Sequence, residues 1–221
     1  MDGMDRDGSL VAARLREAVA EPLENWREVY KSFSPLNLET GERRPRVPGP
    51  GEDCRRAAVL VPIVLEPKGA HLVYTLRTGD LEDHAGQVSF PGGSPEPRDG
   101  SLLATALREA EEEIDLRPDT VEIIGELEEM YIPPSRFLVK PFVGLLSEQA
   151  ELVLAPEEVE AIFSVSLEEL MSPAAFEKVI WQREGWPHEV PIFAVGGHEI
   201  WGATAAMTAG LLARLGWRLE E

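Results

Sequence analysis

The chain has 221 residues, of which 43% are hydrophobic, and this is enough for one globular domain with a full core. Its 40 acidic and 21 basic side chains give a formal net charge of -19, which opposes nonspecific binding to nucleic acid or to an anionic membrane surface. A single cysteine, Cys54, allows no internal disulfide, and no apolar run is long enough to span a bilayer. The charged first residues lack a signal-peptide pattern, so a cytoplasmic protein is expected.

The first predicted element is a helix over residues 9–20, which show helical periodicity. A Pro-rich connection follows from Gly41 to Asp53, where the density of Pro and Gly disfavours regular structure. The arginines of this connection are interpreted as solvated, with a substrate contact as the alternative. Residues 1–53 are therefore expected to be a helix and a connection packed on a domain formed by residues 54–221.

Alternating and apolar runs predict the strands of that domain. Residues 57–66 and 71–77 are predicted to pair around a Pro-Lys-Gly turn. Four later runs have the same character: residues 121–127, 141–146, 161–167 and 190–195. A further apolar helix is predicted over residues 203–215. Strands interleaved with a few helices indicate the α/β class.

Residues 86–116 carry the most informative pattern, a glycine-rich turn followed by an amphipathic helix. Its apolar stripe is formed by Leu103, Ala106, Leu107, Ala110 and Ile114. Beside that stripe, Glu109, Glu112 and Glu113 cluster at spacings of three and four, where like charges repel by roughly 0.2–0.5 kcal/mol per pair. A divalent cation would reverse this repulsion, because Mg²⁺ takes oxygen ligands and completes its shell with waters and substrate phosphates. The alternative is a solvated acidic face.

The context of this helix resembles the signature of the Nudix hydrolases. That signature is a Gly, five residues, an acid, a spacer, then Arg-Glu, an apolar residue, any residue and Glu-Glu, with an apolar residue near the end. Its places are filled here by Gly93, Asp99, Arg108, Glu109, Ala110, Glu112, Glu113 and Leu116. The general signature has seven residues between the acid and the Arg, whereas this chain has eight and has Asp in place of Glu.

The longer spacer and the Asp resemble the coenzyme A pyrophosphatase branch of that superfamily. Residues 72–93 also resemble the additional motif of the branch, with matches at Arg77, Gly86, Val88, Phe90, Pro91, Gly92 and Gly93. Glu82 departs from it, because the motif carries an Arg there and a carboxylate would repel a substrate phosphate. Asp115 stands where the signature has Gly, and it is expected to tolerate a left-handed backbone. Residues 200–215 resemble a Trp-Gly-Met-Thr-Ala segment of the same branch.

The resemblance implies a Nudix-type α/β/α sandwich with a mixed β-sheet. It also implies metal-dependent hydrolysis of a nucleoside diphosphate linked to another moiety, with coenzyme A or a derivative as the first candidate. Glu109, Glu112 and Glu113 are then expected to bind Mg²⁺ or Mn²⁺, with Glu112 also catalytic. Arg108 is expected to orient the glutamates by bidentate pairing. Glu158, or its neighbour Glu157, is the candidate general base, with an acidic loop as the alternative.

Substrate contacts are expected from Arg77, Gly92 and Gly93 of the additional motif. Tyr131 is a candidate for stacking on a base and Arg136 for contacting a phosphate, although both equally suit packing and surface positions.

The segment that contains these two residues points to other substrates. A tyrosine near the position of Tyr131 is similar to the pattern of dinucleoside polyphosphate hydrolases, whereas Pro133 and Pro134 are similar to the pattern of ADP-ribose pyrophosphatases. Both substrate classes stay open. A noncatalytic nucleotide-sensing Nudix module is a further alternative, although it is disfavoured because Arg108 and all three glutamates are present. The expected partner is a small nucleotide diphosphate, and the tryptophans also allow a homodimer contact.

Overall fold

The computed structural model describes residues 4–67, 69–79, 86–147, 151–183 and 185–218. Within these ranges the helices are α1 (Met4–Ala20), α2 (Trp26–Ser32), α3 (Leu102–Ile114), α4 (Leu167–Met171) and α5 (Gly202–Arg214). The first six strands are β1 (Leu36–Asn37), β2 (Arg55–Glu66), β3 (Gly69–Arg77), β4 (Val88–Ser89), β5 (Gly92–Gly93) and β6 (Val121–Glu126). The remaining six are β7 (Met130–Ile132), β8 (Phe137–Leu146), β9 (Val159–Ser166), β10 (Phe176–Arg183), β11 (Trp186–Val195) and β12 (His198–Trp201).

The larger sheet has eight strands in the described part of the chain, along the path β4-β3-β2-β8-β6, with β9 beside β3, β5 beside β2 and β7 beside β8. Strands β2 and β8 are parallel, with Leu60 opposite Phe142, whereas β2 and β3 are antiparallel, with Ile63 opposite Leu72. The sheet is therefore mixed, as predicted. The predicted pairing of β2 with β3 is confirmed, and so are the four later strand runs. Lys68 of the predicted turn lies outside the described residues.

The two faces of β2 are covered by different helices. Ala58 and Leu60 pack against Ala106, Ala110 and Ile114 of α3. Residues of the opposite face of β2 share one hydrophobic cluster with α1, α2 and α5. Because successive strand residues point to opposite faces, this arrangement places helices on both sides of the sheet. The predicted α/β/α sandwich is confirmed.

Helix α3 has distinct signals at both ends. Ser101 caps its beginning, since the side chain accepts a hydrogen bond from the Ala104 N–H at 3.1 Å. Asp115 follows the last turn with φ 53° and ψ 30°, the left-handed conformation that the sequence predicted for this position. These two signals fix where α3 begins and ends, and therefore where its glutamates lie along the helix axis.

The connection before β2 differs from its prediction as a solvated linker. Arg46 is only 8% exposed, and its Nε donates to the Ser34 hydroxyl at 2.8 Å. Its Nη2 donates to the Phe33 carbonyl at 3.1 Å. The interpretation was wrong for Arg46, because the composition of the connection describes local backbone preference, whereas contacts with the residues that follow α2 decide where this side chain lies.

A second sheet was only partly predicted. Strand β11 pairs with β1, β10 and β12, and of these four only β11 has a full strand run that the sequence predicted. Among the described helices, none is long and apolar enough to cross a membrane.

Candidate active site

The acidic residues of α3 divide into two groups. Glu113 is buried, with a side chain 2% exposed, and Glu109 one turn earlier is 16% exposed. Glu158, just before β9, lies close enough to interact electrostatically with both. Glu112 instead faces outward, 46% exposed, and accepts from Arg98 and Arg108, each at 2.7 Å. The structure thus brings together Glu109, Glu113 and Glu158 and leaves Glu112 on the flank.

The buried carboxylates are held against their preference for water. Burial, together with the negative charges of Glu109 and Glu158, raises the pKa of Glu113 to about 8, although Arg77 acts in the opposite direction. Burial also raises the pKa of Glu109, opposed by Arg108. The Oε2 atom of Glu113 is buried and has no hydrogen-bond partner among the described residues. An unpaired buried carboxylate oxygen is costly, so this atom indicates a place for a ligand.

Arg108 connects the two groups of glutamates. Its Nη2 lies 2.9 Å from Glu109 Oε1 and its Nη1 lies 2.7 Å from Glu112 Oε2. The same guanidinium donates to Asp99 and, at 3.1 Å, to the carbonyl of Ser94. These contacts raise the pKa of Arg108, mainly through Asp99, and they lower the pKa of Asp99 below its usual range. The geometry is the one that an orienting role requires.

Two glycines allow the turn before α3 to approach both β2 and the glutamates. Gly92 has φ 157°, and a Cβ there would lie 2.3 Å from the Ala58 carbonyl oxygen. A Cβ on Gly93 would lie 2.5 Å from Glu109 Oε1. Glycine is therefore required at residue 92 by the backbone of β2, and residue 93 leaves room for the Glu109 carboxylate.

A cavity of about 760 Å³ adjoins this acidic group. Its lining includes Arg77, Gly92 and Gly93. Arg77 lies 3.6 Å from Glu113, the backbone of Gly92 forms a hydrogen bond with Glu113, and Gly93 lies against Glu109. Its floor includes Arg55, Ala57, Val59, Phe137 and Val139, from the parallel strands β2 and β8. Its walls include Ile132, Pro133, Pro134, Trp201, Ala203 and Met207. A cavity that combines apolar walls with a few polar groups is typical of small-molecule sites.

Two predicted substrate contacts lie elsewhere. Tyr131 is 3% exposed and donates from its hydroxyl to Glu52, and Arg136 donates to the Asp53 carbonyl at 2.6 Å. Neither lines the cavity, so stacking by Tyr131 would require its release from this packing. Glu82, which departs from the additional motif, lies outside the described residues.

The donor set fits a hard divalent cation in part. Within the described ranges, no three Asp, Glu, His or Cys side chains are arranged as a complete set of ligands for one ion. Mg²⁺ does not require such a cage, since it is usually bound by one or two carboxylates, waters and substrate phosphates. Glu109 and Glu113, with the unpaired Oε2 of Glu113 and with Glu158 nearby, meet this smaller requirement.

Some residues of the site were not predicted from the sequence, among them Arg55, which lines the floor of the cavity. Arg44 and Arg46 line it from the connection before β2, where a substrate contact was the alternative interpretation. Arg98 binds Glu112 from the turn before α3. For Arg55 there was a signal in the sequence, because its spacing places it on the same face of β2 as Ala57 and Val59. The positions of the other arginines depend on how the loops fold back.

The family model of the Nudix domain matches residues 55–187, which contain the acidic helix and most of the cavity floor. A relative from Photorhabdus laumondii, named uncharacterized Nudix hydrolase NudL, is 42% identical over 156 residues, which are 71% of this chain and 82% of that protein. A NudL protein from Yersinia pestis is 40% identical over 153 residues, covering 69% of this chain and 76% of its own length.

Solved structures with the same fold have much lower identity. A Nudix hydrolase from M. smegmatis, RenU, aligns with a TM-score of 0.50 and 15% identity over 84% of this chain and 96% of its own. The MutT protein from Methanosarcina mazei Go1 aligns with a TM-score of 0.50 and 17% identity over 77% of this chain and 100% of its own. These two likenesses concern the fold alone. With the family match and the relatives, the chain belongs to the Nudix family and is a pyrophosphohydrolase that acts on derivatives of nucleoside diphosphates.

Proposed function

We propose that this enzyme hydrolyses the diphosphate of coenzyme A or of a coenzyme A derivative, with Mg²⁺ or Mn²⁺ as cofactor. One observation carries the proposal: the acidic group of α3 and the cavity meet at Arg77, Gly92 and Gly93. A diphosphate at this edge would lie beside the carboxylates while the rest of the substrate occupies the cavity. Of the residues that match the additional motif, Val88 and Phe90 also line the cavity, which supports the coenzyme A class over other diphosphates.

Glu109 and Glu113 are the residues that would hold the metal. Nudix hydrolases generally use divalent ions, and such an ion, when bound, polarises phosphoryl oxygens and lowers the pKa of a bound water. The buried, unpaired oxygen of Glu113 supports this role, because two carboxylates in one buried group repel each other in the absence of a cation.

The remaining side chains would orient groups and move the proton. Glu158 would accept the proton of the attacking water, since it is exposed to solvent and interacts with both buried glutamates. Arg108 would keep Glu109 in position through their 2.9 Å contact. Arg77 would face the diphosphate, because it lines the cavity and its buried Nε has no partner among the described residues.

Glu112 keeps its proposed place as a metal ligand and catalytic residue, with one added condition. In this structure its carboxylate is engaged by Arg98 and Arg108. It could take part only after exchanging the 2.7 Å contact with Arg98, which comes from an exposed side chain and is therefore weakly held.

Product analysis on a small panel tests the proposal. The purified protein is incubated with coenzyme A, dephospho-coenzyme A, ADP-ribose, NADH and diadenosine polyphosphates, with Mg²⁺, with Mn²⁺ or with EDTA. We expect metal-dependent cleavage with the highest kcat/KM for coenzyme A or its derivatives. A higher kcat/KM for ADP-ribose or for diadenosine polyphosphates would show that coenzyme A is not the preferred substrate. Binding without any cleavage would favour a nucleotide-sensing module.

A matched pair of variants connects the activity to the site. Glu113→Gln removes the buried carboxylate, and Glu111→Gln makes the same change in charge on the same helix at an exposed residue. We expect loss of turnover by orders of magnitude only in the first variant. Equal activity of the two would remove Glu113 from the proposed mechanism.

A further inference from the structure

We propose that Arg44, Arg46 and Arg55 form a subsite for a second anionic group of the substrate, a phosphate monoester separate from the diphosphate that is cleaved. All three line the cavity. The subsite deepens the proposed function, on which its place in the reaction rests. A subsite of this kind would select nucleotides with an additional phosphate over the same nucleotides without it.

Arg46 provides the first argument, because it is a buried cation whose contacts are neutral. It is 8% exposed, and its guanidinium donates to the Ser34 hydroxyl and the Phe33 carbonyl. In the part of the chain that the structure describes, no carboxylate forms an ion pair with it. A buried charge without a counterion is costly, and an anion in the cavity would offset that cost.

A second cation lies close to the first. Burial lowers the pKa of Arg46 to about 10, and the charge of Arg44 contributes to the same shift. Both guanidinium groups belong to residues that line one cavity, and an anion between them would offset their mutual repulsion. The chain as a whole carries a net charge of -19, so positive charge concentrated here runs against its composition.

Arg55 places the third guanidinium on the cavity floor. Its side chain lies over the Phe137 ring, with 4.2 Å between the guanidinium carbon and the ring centroid. Such a contact orients a planar guanidinium while its N–H groups remain able to donate elsewhere. Phosphate oxygens suit this geometry, since guanidinium groups bind them with paired hydrogen bonds.

The spacing along β2 separates this subsite from the acidic group. Gly92 and Gly93 pair with Val59 and Ala58, and a strand rises roughly 3.3 Å per residue. The backbone of Arg55 is therefore roughly 10–13 Å along the strand from the level of these glycines. With the reach of an arginine side chain, a sugar-sized spacer would connect an anion here to a diphosphate beside Glu109 and Glu113.

Binding measurements without metal test the subsite independently of hydrolysis. Adenosine 3′,5′-bisphosphate and adenosine 5′-monophosphate differ by one phosphate monoester, and titration calorimetry in EDTA gives the Kd of each. For the wild-type protein we expect the bisphosphate to bind about 10-fold tighter or more. Equal affinities, or no binding of either probe, would overturn the proposal.

Three variants and one control locate the effect. Arg44→Gln and Arg55→Gln should each bring the ratio of the two affinities close to one. Arg46→Gln should do the same if it folds, and the other two variants keep the test decisive if it does not. Arg117→Gln changes the same charge at a side chain 69% exposed outside the cavity, and its ratio should stay that of wild type. An unchanged ratio in Arg44→Gln and Arg55→Gln would overturn the subsite.

Turnover separates this inference from the proposed function. The subsite predicts that the preference of kcat/KM for coenzyme A over dephospho-coenzyme A shrinks in Arg55→Gln, mainly through KM, and persists in Arg117→Gln. If neither compound is cleaved by the wild-type enzyme, the proposed substrate is wrong, whereas the affinity ratio of the two adenosine phosphates still decides the subsite.

Discussion

Arg108 and Asp99 form a bidentate pair, with Nε donating to Oδ1 and Nη2 donating to Oδ2, each at 3.0 Å. Asp99 also accepts from the Thr105 hydroxyl at 3.0 Å. Nη2 of the same guanidinium also lies 2.9 Å from Glu109 Oε1, and Nη1 donates to Glu112 Oε2 at 2.7 Å. The acid near the start of the signature thus fixes the arginine that orients the glutamates, and the eight-residue spacer of this chain is compatible with that contact.

Asp99→Asn tests this relationship. The variant replaces a charged acceptor with a neutral amide, so we expect a loss of about 1–3 kcal/mol in the free energy of unfolding. We also expect a decrease in kcat of roughly 10-fold or more, because Glu109 and Glu112 lose their orientation. Urea unfolding and steady-state kinetics measure the two effects. The control is Asp119→Asn, since Asp119 is 77% exposed and pairs only weakly with Arg117, and similar losses in both variants would contradict the account.

The general base is tested by comparing two adjacent residues. Glu158 interacts with Glu109 and Glu113, whereas Glu157 contributes a backbone carbonyl that accepts from Thr78 at 3.4 Å. Glu158→Gln should lower kcat by about 10²-fold or more at saturating metal, with KM little changed. Glu157→Gln should keep the wild-type rate. Wild-type kinetics in Glu158→Gln would reject this residue as the base.

Much of the fold could be predicted from periodicity and turn signals, because these reflect local preferences. The strands that become β2 and β3, the helix that becomes α3 and the left-handed Asp115 all have such signals. The short strands and the second sheet have weak local patterns and depend on contacts distant in sequence.

The site was predictable to a different extent. The spacing of Glu109, Glu112 and Glu113 located the acidic helix but did not determine that Glu112 faces outward. That outcome depends on Arg98 and Arg108, which donate to separate oxygens of its carboxylate. The burial of Arg46 depends on its contacts with Phe33 and Ser34, just after α2, which composition alone does not describe.

Gly92→Ala tests the backbone requirement before α3. A methyl group there would lie 2.3 Å from the Ala58 carbonyl oxygen, and φ is 157°. We therefore expect destabilisation by roughly 2–4 kcal/mol, or failure to fold, in thermal or urea unfolding. Gly100→Ala is the control, because a Cβ at Gly100 meets nothing within 4 Å. Equal stability of the two variants would contradict the close approach of the turn to β2.

Stability in EDTA should depend on pH through Glu113. Burial raises the pKa of this carboxyl from 4.5 to about 8 in the folded protein. Its contribution to the free energy of unfolding is therefore fully present below about pH 4.5 and is lost as pH rises through about 8. Glu113→Gln stays neutral, so the stability of the variant relative to wild type should increase across this range, by on the order of 5 kcal/mol. Parallel stability profiles of the two proteins from pH 5 to 9 would contradict the burial of a titrating carboxyl.

Direct metal binding tests the central claim, that Glu109 and Glu113 hold a divalent cation beside the diphosphate. Electron paramagnetic resonance of free Mn²⁺, titrated with protein at pH 8.5, measures the affinity without turnover. We expect wild type and Glu111→Gln to bind Mn²⁺ alike, with affinity lowered at least 10-fold in Glu109→Gln and in Glu113→Gln. Wild-type Mn²⁺ affinity in both of the latter variants, or no binding to the wild-type protein, would contradict the account.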